Sequence, residues 1–450
     1  MKKIIITKTI VTLLFLISCK KEDKPTPNKF PPANNDLIYF QKNIGGDTGK
    51  EAIWQMIESG DGQCYFRGYS NPFADIEIID VFVGENGGPP QKSPYKNYLV
   101  GKISVDGKVI WKEPTGFSNR SIKKIENGDG LWKNALIVTG TSVDSVWVHF
   151  FSSGGINLGK YGYGLPLTGI WFNDIIEEDR IGNNFHFVAA GGVLDGLSKT
   201  EYPLVVKFHV NTLENLLYID KFSVLNDMPN KHIVNLKAVK DNQQIKYIIS
   251  LNDDLSIIDN TSVYVSAIDI DFNIVWSEII KGEKYASHHG LQTIEYYNNK
   301  IYVVGETDDA QKQKNQLVYK NSGLIACYAI SGQPLWRTKV SLSSDNEYFY
   351  SLFFYQNNLY AIGEYGRIYY GNTLDSYGNG LISKIDINTG EIIKSYTINN
   401  PYIDKDTVHR AYINTGVVLG NEIVLAGIVN EVKENGPYQA WFIKIDPAKL

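Results

Sequence analysis

Asn298-Asn299-Lys300-Ile301-Tyr302-Val303-Val304-Gly305 decides the fold: a turn dipeptide leads into an apolar strand that ends on a small residue. The phrase returns as CYFRG ending at Gly68, LIVTG at Gly140, HFVAAG at Gly191, KYIIS at Ser250, LYAIG at Gly363 and IVLAG at Gly427. Seven copies at intervals of 51 to 72 residues make a period of about sixty, with the variation confined to loops. Such self-similarity marks a repeat architecture. Most copies follow a turn signal, among them Asp61-Gly62, Asn183-Asn184, Asp241-Asn242, Asn357-Asn358 and Gly420-Asn421, as tight hairpins require.

A second hairpin follows within each unit. Residues 99–113 read LVGKISVDGKVIWKE, 264–278 YVSAIDIDFNIVWSE, 324–338 LIACYAISGQPLWRT and 381–395 LISKIDINTGEIIKS. The turns fall at Asp106-Gly107, Ser331-Gly332 and Thr389-Gly390, and the outgoing strands carry Trp111, Trp276 and Trp336. Degenerate copies are WVHFFSSGGINLG and LVVKFHVNTLENLLY. Four strands per unit and seven units predict an all-β chain folded as a seven-bladed β-propeller of four-stranded blades. The seventh unit ends after its third strand at Trp441–Ile445, and Leu37–Lys42 has a fourth-strand pattern with no partners before it. The two fragments are expected to complete one blade, which removes the edges an open ring would leave.

Composition agrees. Gly is 40 of 450 residues, Tyr 29 and Met only 3, a profile of short strands and tight turns rather than helices. The net charge is −5, and three of the lysines lie in the first eighteen residues, so the body is acidic. Nucleic acid, which needs a basic footprint, is excluded as a partner. Three cysteines cannot staple 450 residues into a disulfide scaffold.

The first eighteen residues form a signal: Lys2, Lys3 and Lys8, then the apolar run Ile10–Ile17. Leu16-Ile17-Ser18-Cys19 resembles the lipobox of bacterial lipoproteins, which implies that Cys19 is lipidated and becomes the first mature residue. Acyl chains add about 0.8 kcal/mol of membrane affinity per buried CH₂, so a multiply acylated Cys19 anchors firmly. Residues 19–35, with KKEDKPTPNKFPPANN after the cysteine, read as a flexible tether, and residues 36–450 as the propeller. Lys20 is not the Asp that retains lipoproteins of such families at the inner membrane, which favours the outer membrane, on its surface or periplasmic face.

The rhythm of a turn glycine followed by a tryptophan, Gly107 to Trp111 and Gly332 to Trp336, resembles the quinoprotein-like (PQQ-like) propeller superfamily, and residues 40–70 are similar to repeats of secreted bacterial propellers. One relative by class is the propeller lipoprotein of the outer-membrane barrel-assembly machine, whose family is usually eight-bladed. The shared motifs are structural and imply no cofactor. Quinone-dependent relatives commonly need a vicinal cysteine pair, whereas Cys64 and Cys327 lie far apart in apolar strands. Asp269, Asp271 and Asn273 imitate a calcium loop, but Ile274 replaces its glycine and Ile280 its bidentate acid. No GxSxG, HExxH or phosphate loop is present, so no catalytic residue is assigned.

Binding is expected on one face. The connections between second and third strands are long: 71–97, 191–202, 308–323 and 365–380, the last with Tyr365, Tyr369, Tyr370 and Tyr377. Tyrosines suit a protein surface or a glycan. Counting back from the first turn of each blade places Glu51, Lys231, His232, His288, His289, Glu347, His409 and Arg410 at the channel rim of that face. Adjacent histidines on a strand point to opposite sides, so a polar rim is expected there rather than a metal site. The function that follows is a lipid-anchored scaffold for a protein partner in an envelope complex. Glycan binding is the alternative, and a divergent hydrolase or lyase stands behind it.

Overall fold

β-Branched and aromatic residues between Gly and Asn turns produce twenty-eight strands, and the only helical turns among the described residues are two 3-10 pieces. The computed structural model describes residues 37–44, 50–71, 98–142, 145–164, 169–214, 216–239, 244–253, 263–280, 291–313, 316–342, 346–367, 378–399, 409–431 and 438–450. Cys19, the tether, His288, His289, Tyr369, Tyr370 and Tyr377 lie outside these residues.

The chain enters on β1 (Ile38–Ile44). Blade one is β2 (Lys50–Glu58), β3 (Cys64–Asn71), β4 (Tyr98–Ile103) and β5 (Val109–Pro114). Blade two is β6 (Ser118–Lys124), β7 (Leu136–Ser142), β8 (Ser145–Phe151) and β9 (Asn157–Gly164). Blade three is β10 (Gly169–Ile181), β11 (Asn184–Leu194), β12 (Glu201–Asn211) and β13 (Leu216–Val224). Blade four is β14 (Lys231–Ala238), β15 (Tyr247–Asp253), β16 (Val263–Ile268) and β17 (Ile274–Ile280). Blade five is β18 (Leu291–Tyr297), β19 (Lys300–Gln313), β20 (Gln316–Ala329) and β21 (Pro334–Val340). Blade six is β22 (Asn346–Tyr355), β23 (Asn358–Arg367), β24 (Asn379–Ile385) and β25 (Ile392–Ile398). Blade seven takes β26 (His409–Leu419), β27 (Glu422–Glu431) and β28 (Tyr438–Ile445). Each blade is an antiparallel meander, and together they form a seven-bladed β-propeller.

β1 supplies the missing fourth strand of blade seven. It pairs antiparallel with β28 from Ile38↔Ile445 to Ile44↔Ala440. The Trp441 indole donates to Gln41 Oε1 at 2.9 Å, and the Asp446 amide donates to the Leu37 carbonyl at 2.9 Å. Leu37 is buried against blade seven, and Phe40 packs on Phe442 at 6.2 Å between ring centroids. Tyr39, in contrast, points outward and is 72 % exposed, because alternate residues of an outermost strand face solvent.

The recurring glycines have a steric reason. In all seven blades the first strand bulges where the second strand carries its small residue. A Cβ on Gly68 would lie 2.0 Å from the Ala52 carbonyl oxygen, and one on Gly427 1.8 Å from that of Tyr412. Blade four departs by one step: the bulge sets Leu251, not Ser250, opposite the residue before it. The residue just after each bulge is polar: Gln55, Ser121, Asp174, Asn235, Thr293, Ser351 and Thr415. These side chains tie one blade to the next. Gln55 accepts from the Ile122 amide at 3.2 Å, Asp174 from Leu236 at 2.9 Å, Asn235 from Ile294 at 3.1 Å, and Thr415 from Met56 at 3.0 Å.

A second tie runs around the outside. Trp111 donates its indole N–H to the Ser153 carbonyl, Trp276 to Ile330 and Trp336 to Ile387, each in the outer turn of the following blade. The turn glycines Gly155, Gly332 and Gly390 have positive φ, and their bare Cα faces lie against those indoles. The Gly-x-x-x-Trp spacing of Gly107–Trp111 and Gly332–Trp336 is therefore the mark of a seam between blades. Between these ties lie apolar cores, such as Phe150, Phe187 and Phe208 at the junction of blades two and three.

Two loop expectations need correction. Residues 308–313 and 316–323 continue β19 and β20 as a paired hairpin out to Gln313↔Gln316 rather than forming a loop. Between β11 and β12 only residues 195–200 are loop. The type I′ turn of blade six also sits one residue early, at Gln356-Asn357, both with positive φ.

Deleting residues 36–44 removes the buried Leu37, worth about 1.5–3 kcal/mol, and the half-buried Phe40, from a typical net stability of about 5–15 kcal/mol. The melting temperature is expected to fall sharply, with aggregation through the bared edge of β28, whereas deleting residues 25–34 leaves it unchanged. Equal melting of the two deletions would mean that the ring is not closed by β1.

Candidate functional site

The first strand of each blade begins at the end of the propeller where second and third strands are joined, and there the rim residues assemble. Glu51, His232, Glu347 and Arg410 are each the second residue of an innermost strand, β2, β14, β22 and β26. Lys231 and His409 are first residues of β14 and β26.

The side chains of His232 and Arg410 turn to the seams between blades. His232 Nδ1 lies 3.3 Å from Glu201 Oε2 of blade three, with its ring edge-on to Trp171. The Lys231 ammonium sits 4.8 Å over the Tyr264 ring. Glu347 is fully buried and accepts from the Leu342 amide at 3.2 Å, which makes it a loop-holding carboxylate instead of a rim charge. Tyr365, expected in an aromatic loop, is a residue of β23 and only 5 % exposed, because β23 runs past the glycine that marks its core. The tyrosine platform expected for a glycan therefore lacks Tyr365.

The most developed cluster lies between blades six and seven. Arg410 meets Glu364 in a two-pronged ion pair, Nε to Oε1 at 2.7 Å and Nη2 to Oε2 at 2.8 Å. The Tyr350 hydroxyl donates to Glu364 Oε2 at 2.9 Å, and the guanidinium stacks 4.4 Å from the centroid of Tyr412. Glu364 has no exposed surface, and Arg410 retains 18 %. Burial opposes the arginine charge, but Glu364 and Tyr350 push its pKa well above the ordinary range. Planar bidentate geometry rather than charge alone defines this pair. Gly378 is required beside it, since a Cβ there would lie 2.3 Å from Glu364 Oε1. The sequence reading reached Arg410 and missed Glu364, Tyr350 and Tyr412. Glu364 directly follows the marker glycine Gly363, and that acid at the end of an apolar strand was its signal.

A belt of alternating charge crosses the first strands of blades two to five. Lys123 Nζ lies 3.3 Å from Asp174, and Lys237 Nζ 2.6 Å from Glu295. Burial alone would raise the Asp174 carboxyl, but Lys123 and Lys237, with the Ser121 hydroxyl and Leu236 amide, hold it below the usual carboxylate range. Elsewhere, Cys64 and Cys327 are fully buried, and burial pushes their thiols up to about 12 and about 11. Both are inert core residues. Asp269 accepts from the amides of Asp271 and Asn273, so this stretch is a turn. His149 is also interior, and burial pushes it down to about 4.

No protein-family model matches the chain, and no curated protein matches it. Among solved structures it is similar to BBS1N from a complex with ARL6DN, at 12 % identity and a TM-score of 0.45, covering 92 % of this chain and 98 % of that one. It is similar to polysaccharide lyase Uly1 at 10 % identity and a TM-score of 0.43, covering 89 % of each chain. A protein of unknown function from Dyadobacter fermentans gives 10 % identity and a TM-score of 0.41, over 91 % of this chain and 98 % of that one. At these identities and scores the likeness is one of general shape.

Arg410→Ala leaves Glu364 charged and buried without its partner, a change that typically costs about 3–5 kcal/mol. Chemical denaturation should show a loss of that order, and Arg410→Met combined with Glu364→Leu should recover most of it. A single mutant as stable as the parent would show that the pair does not hold the seam.

Proposed function

We propose that the chain is a lipid-anchored protein of the outer membrane whose propeller holds a protein partner, as a non-enzymatic accessory of an envelope complex. The observation that carries this reading is the ribbon of β19 and β20. β18 stops pairing at Gly305 and β21 at Gly323, and Glu306, Thr307 and Ser322 are still buried, yet β19 and β20 continue together beyond them for six residue pairs, Asp308↔Asn321 to Gln313↔Gln316. At about 3.3 Å per residue this is roughly 20 Å of two-stranded ribbon. Among the described residues no further strand pairs with 308–313 or 316–321. A two-stranded ribbon is marginal in water by itself, and its open edges are templates for a partner's strand.

Further support comes from the rim. Arg410 and His232 are engaged with carboxylates of neighbouring blades, which suits a rigid platform under the ribbon better than a reacting centre. The lipobox-like Leu16–Cys19 and the polar tether support a membrane anchor with room to reach a partner.

Solubilising membranes in mild detergent and purifying the chain tests the reading. The parent should carry a stoichiometric partner. A variant in which residues 308–321 are replaced by a two-residue turn should lose it while melting normally, and Cys19→Ala should move the chain out of the membrane fraction. A parent that is reproducibly solitary, or a ribbon-less variant that keeps its partner, contradicts the proposal.

A further inference from the structure

Blade three carries two histidines and an aspartate that the rim does not use. His186 on β11 and His209 on β12 are directly opposed in register, so their imidazoles leave the sheet on the same face, with ring centroids 5.2 Å apart. On β13 the register shifts between Ile219 and Lys221, which leaves Asp220 as a bulged residue. A bulge re-aims the side chain it carries. Asp220 Oδ1 lies 2.7 Å from His209 Nδ1, and its Oδ2 lies 3.6 Å from His186 Nδ1. One ligand atom from each residue falls within 4.8 Å of the other two.

We infer that His186, His209 and Asp220 form a binding site for one divalent transition-metal ion, with Zn²⁺ the best fit. Two neutral imidazoles and a carboxylate are a borderline donor set of the kind Zn²⁺ takes with three protein ligands, the fourth position going to water. Metal–ligand bonds of about 2.0–2.2 Å set tetrahedral donors roughly 3.3 Å apart. The observed 2.7 and 3.6 Å bracket that spacing, so small side-chain rotations suffice. The side chains are 16 %, 21 % and 29 % exposed, which leaves an approach for the ion and a place for water. Beneath them the same face of the sheet carries Val188 and Val205 into the apolar core. Tyr218 stacks on the His209 ring at 5.0 Å and donates its hydroxyl to Glu214, which holds that imidazole in place. Outer partners of this kind orient a ligand and sustain metal affinity.

The site lies at the end of blade three that carries the β12–β13 turn, opposite the rim and the ribbon. It is independent of the proposed partner-binding role. The buried Cys64 and Cys327 offer no competing thiolate.

The test uses the full mature chain in mild detergent, tag removed and stripped with chelator, titrated with Zn²⁺ by calorimetry and with Co²⁺ by visible absorption. One Zn²⁺ per chain, a raised melting temperature and a Co²⁺ ligand-field band are expected. His209→Gln and Asp220→Asn should each weaken binding by more than about tenfold. His232→Gln, at the rim, should bind as the parent does. Should one variant fail to fold, His186→Gln provides the same comparison. A simple histidine–aspartate hydrogen bond gives no Co²⁺ band. Absence of the band, or site variants that bind Zn²⁺ as tightly as the parent, overturns the inference.

Discussion

The antiparallel pairing of β1 with β28 is the contact on which the rest depends. It joins residues about four hundred positions apart and turns seven sheets in a row into a closed ring. Each blade exposes an apolar face that only its neighbour can cover, so the ring works only if the first and last blades also meet. They meet through Thr415 and Met56, and through Lys42 of β1 beside the turn glycine Gly107 of blade one. An open ring would leave β28 as an unpaired edge and Trp441 without the amide that accepts its indole proton.

Two kinds of seam divide the work between the inside and the outside of the ring. Near the axis, a bulge lets the polar residue after it bond to the next blade's backbone. Near the rim of the wheel, an indole rests on a turn glycine of the next blade. Blades six and seven are joined by Arg410, near the start of the innermost strand β26, and Glu364 of β23, a geometry-demanding ion pair. Function is thereby confined to what the seams leave free. The ribbon of blade five and the histidine cluster of blade three are built on strands that the ring already holds still, as a binding site requires.

The count of blades, the closure and the turn glycines could be read from the sequence because each is local, periodic and steric. A glycine facing a carbonyl, or a tryptophan four residues after the positive-φ turn residue, leaves a mark at fixed spacing. The polar residue after each bulge was not legible as a class, since Gln, Asp, Asn and Thr all perform the same task. The ribbon was hidden because 310–316 reads AQKQKNQ, a polar run without alternation. Glu347 was placed at the correct strand position and Tyr365 in a loop, yet both side chains are buried. His186 and His209 did leave a trace: each follows a phenylalanine, and they stand equally far from the centre of their hairpin. That symmetry predicts a cross-strand pair, but Asp220 joins it only through a bulge that no pattern announces.

Closure is tested most directly by native-state hydrogen exchange on the intact chain. The amides of β1 that bond to β28 should exchange with the same free energy as those of β25, the outermost strand of blade six, because both belong to complete blades of one cooperative ring. Exchange of the β1 amides a hundredfold or more faster, with β25 still protected, would show a chain end that is laid on the ring without closing it.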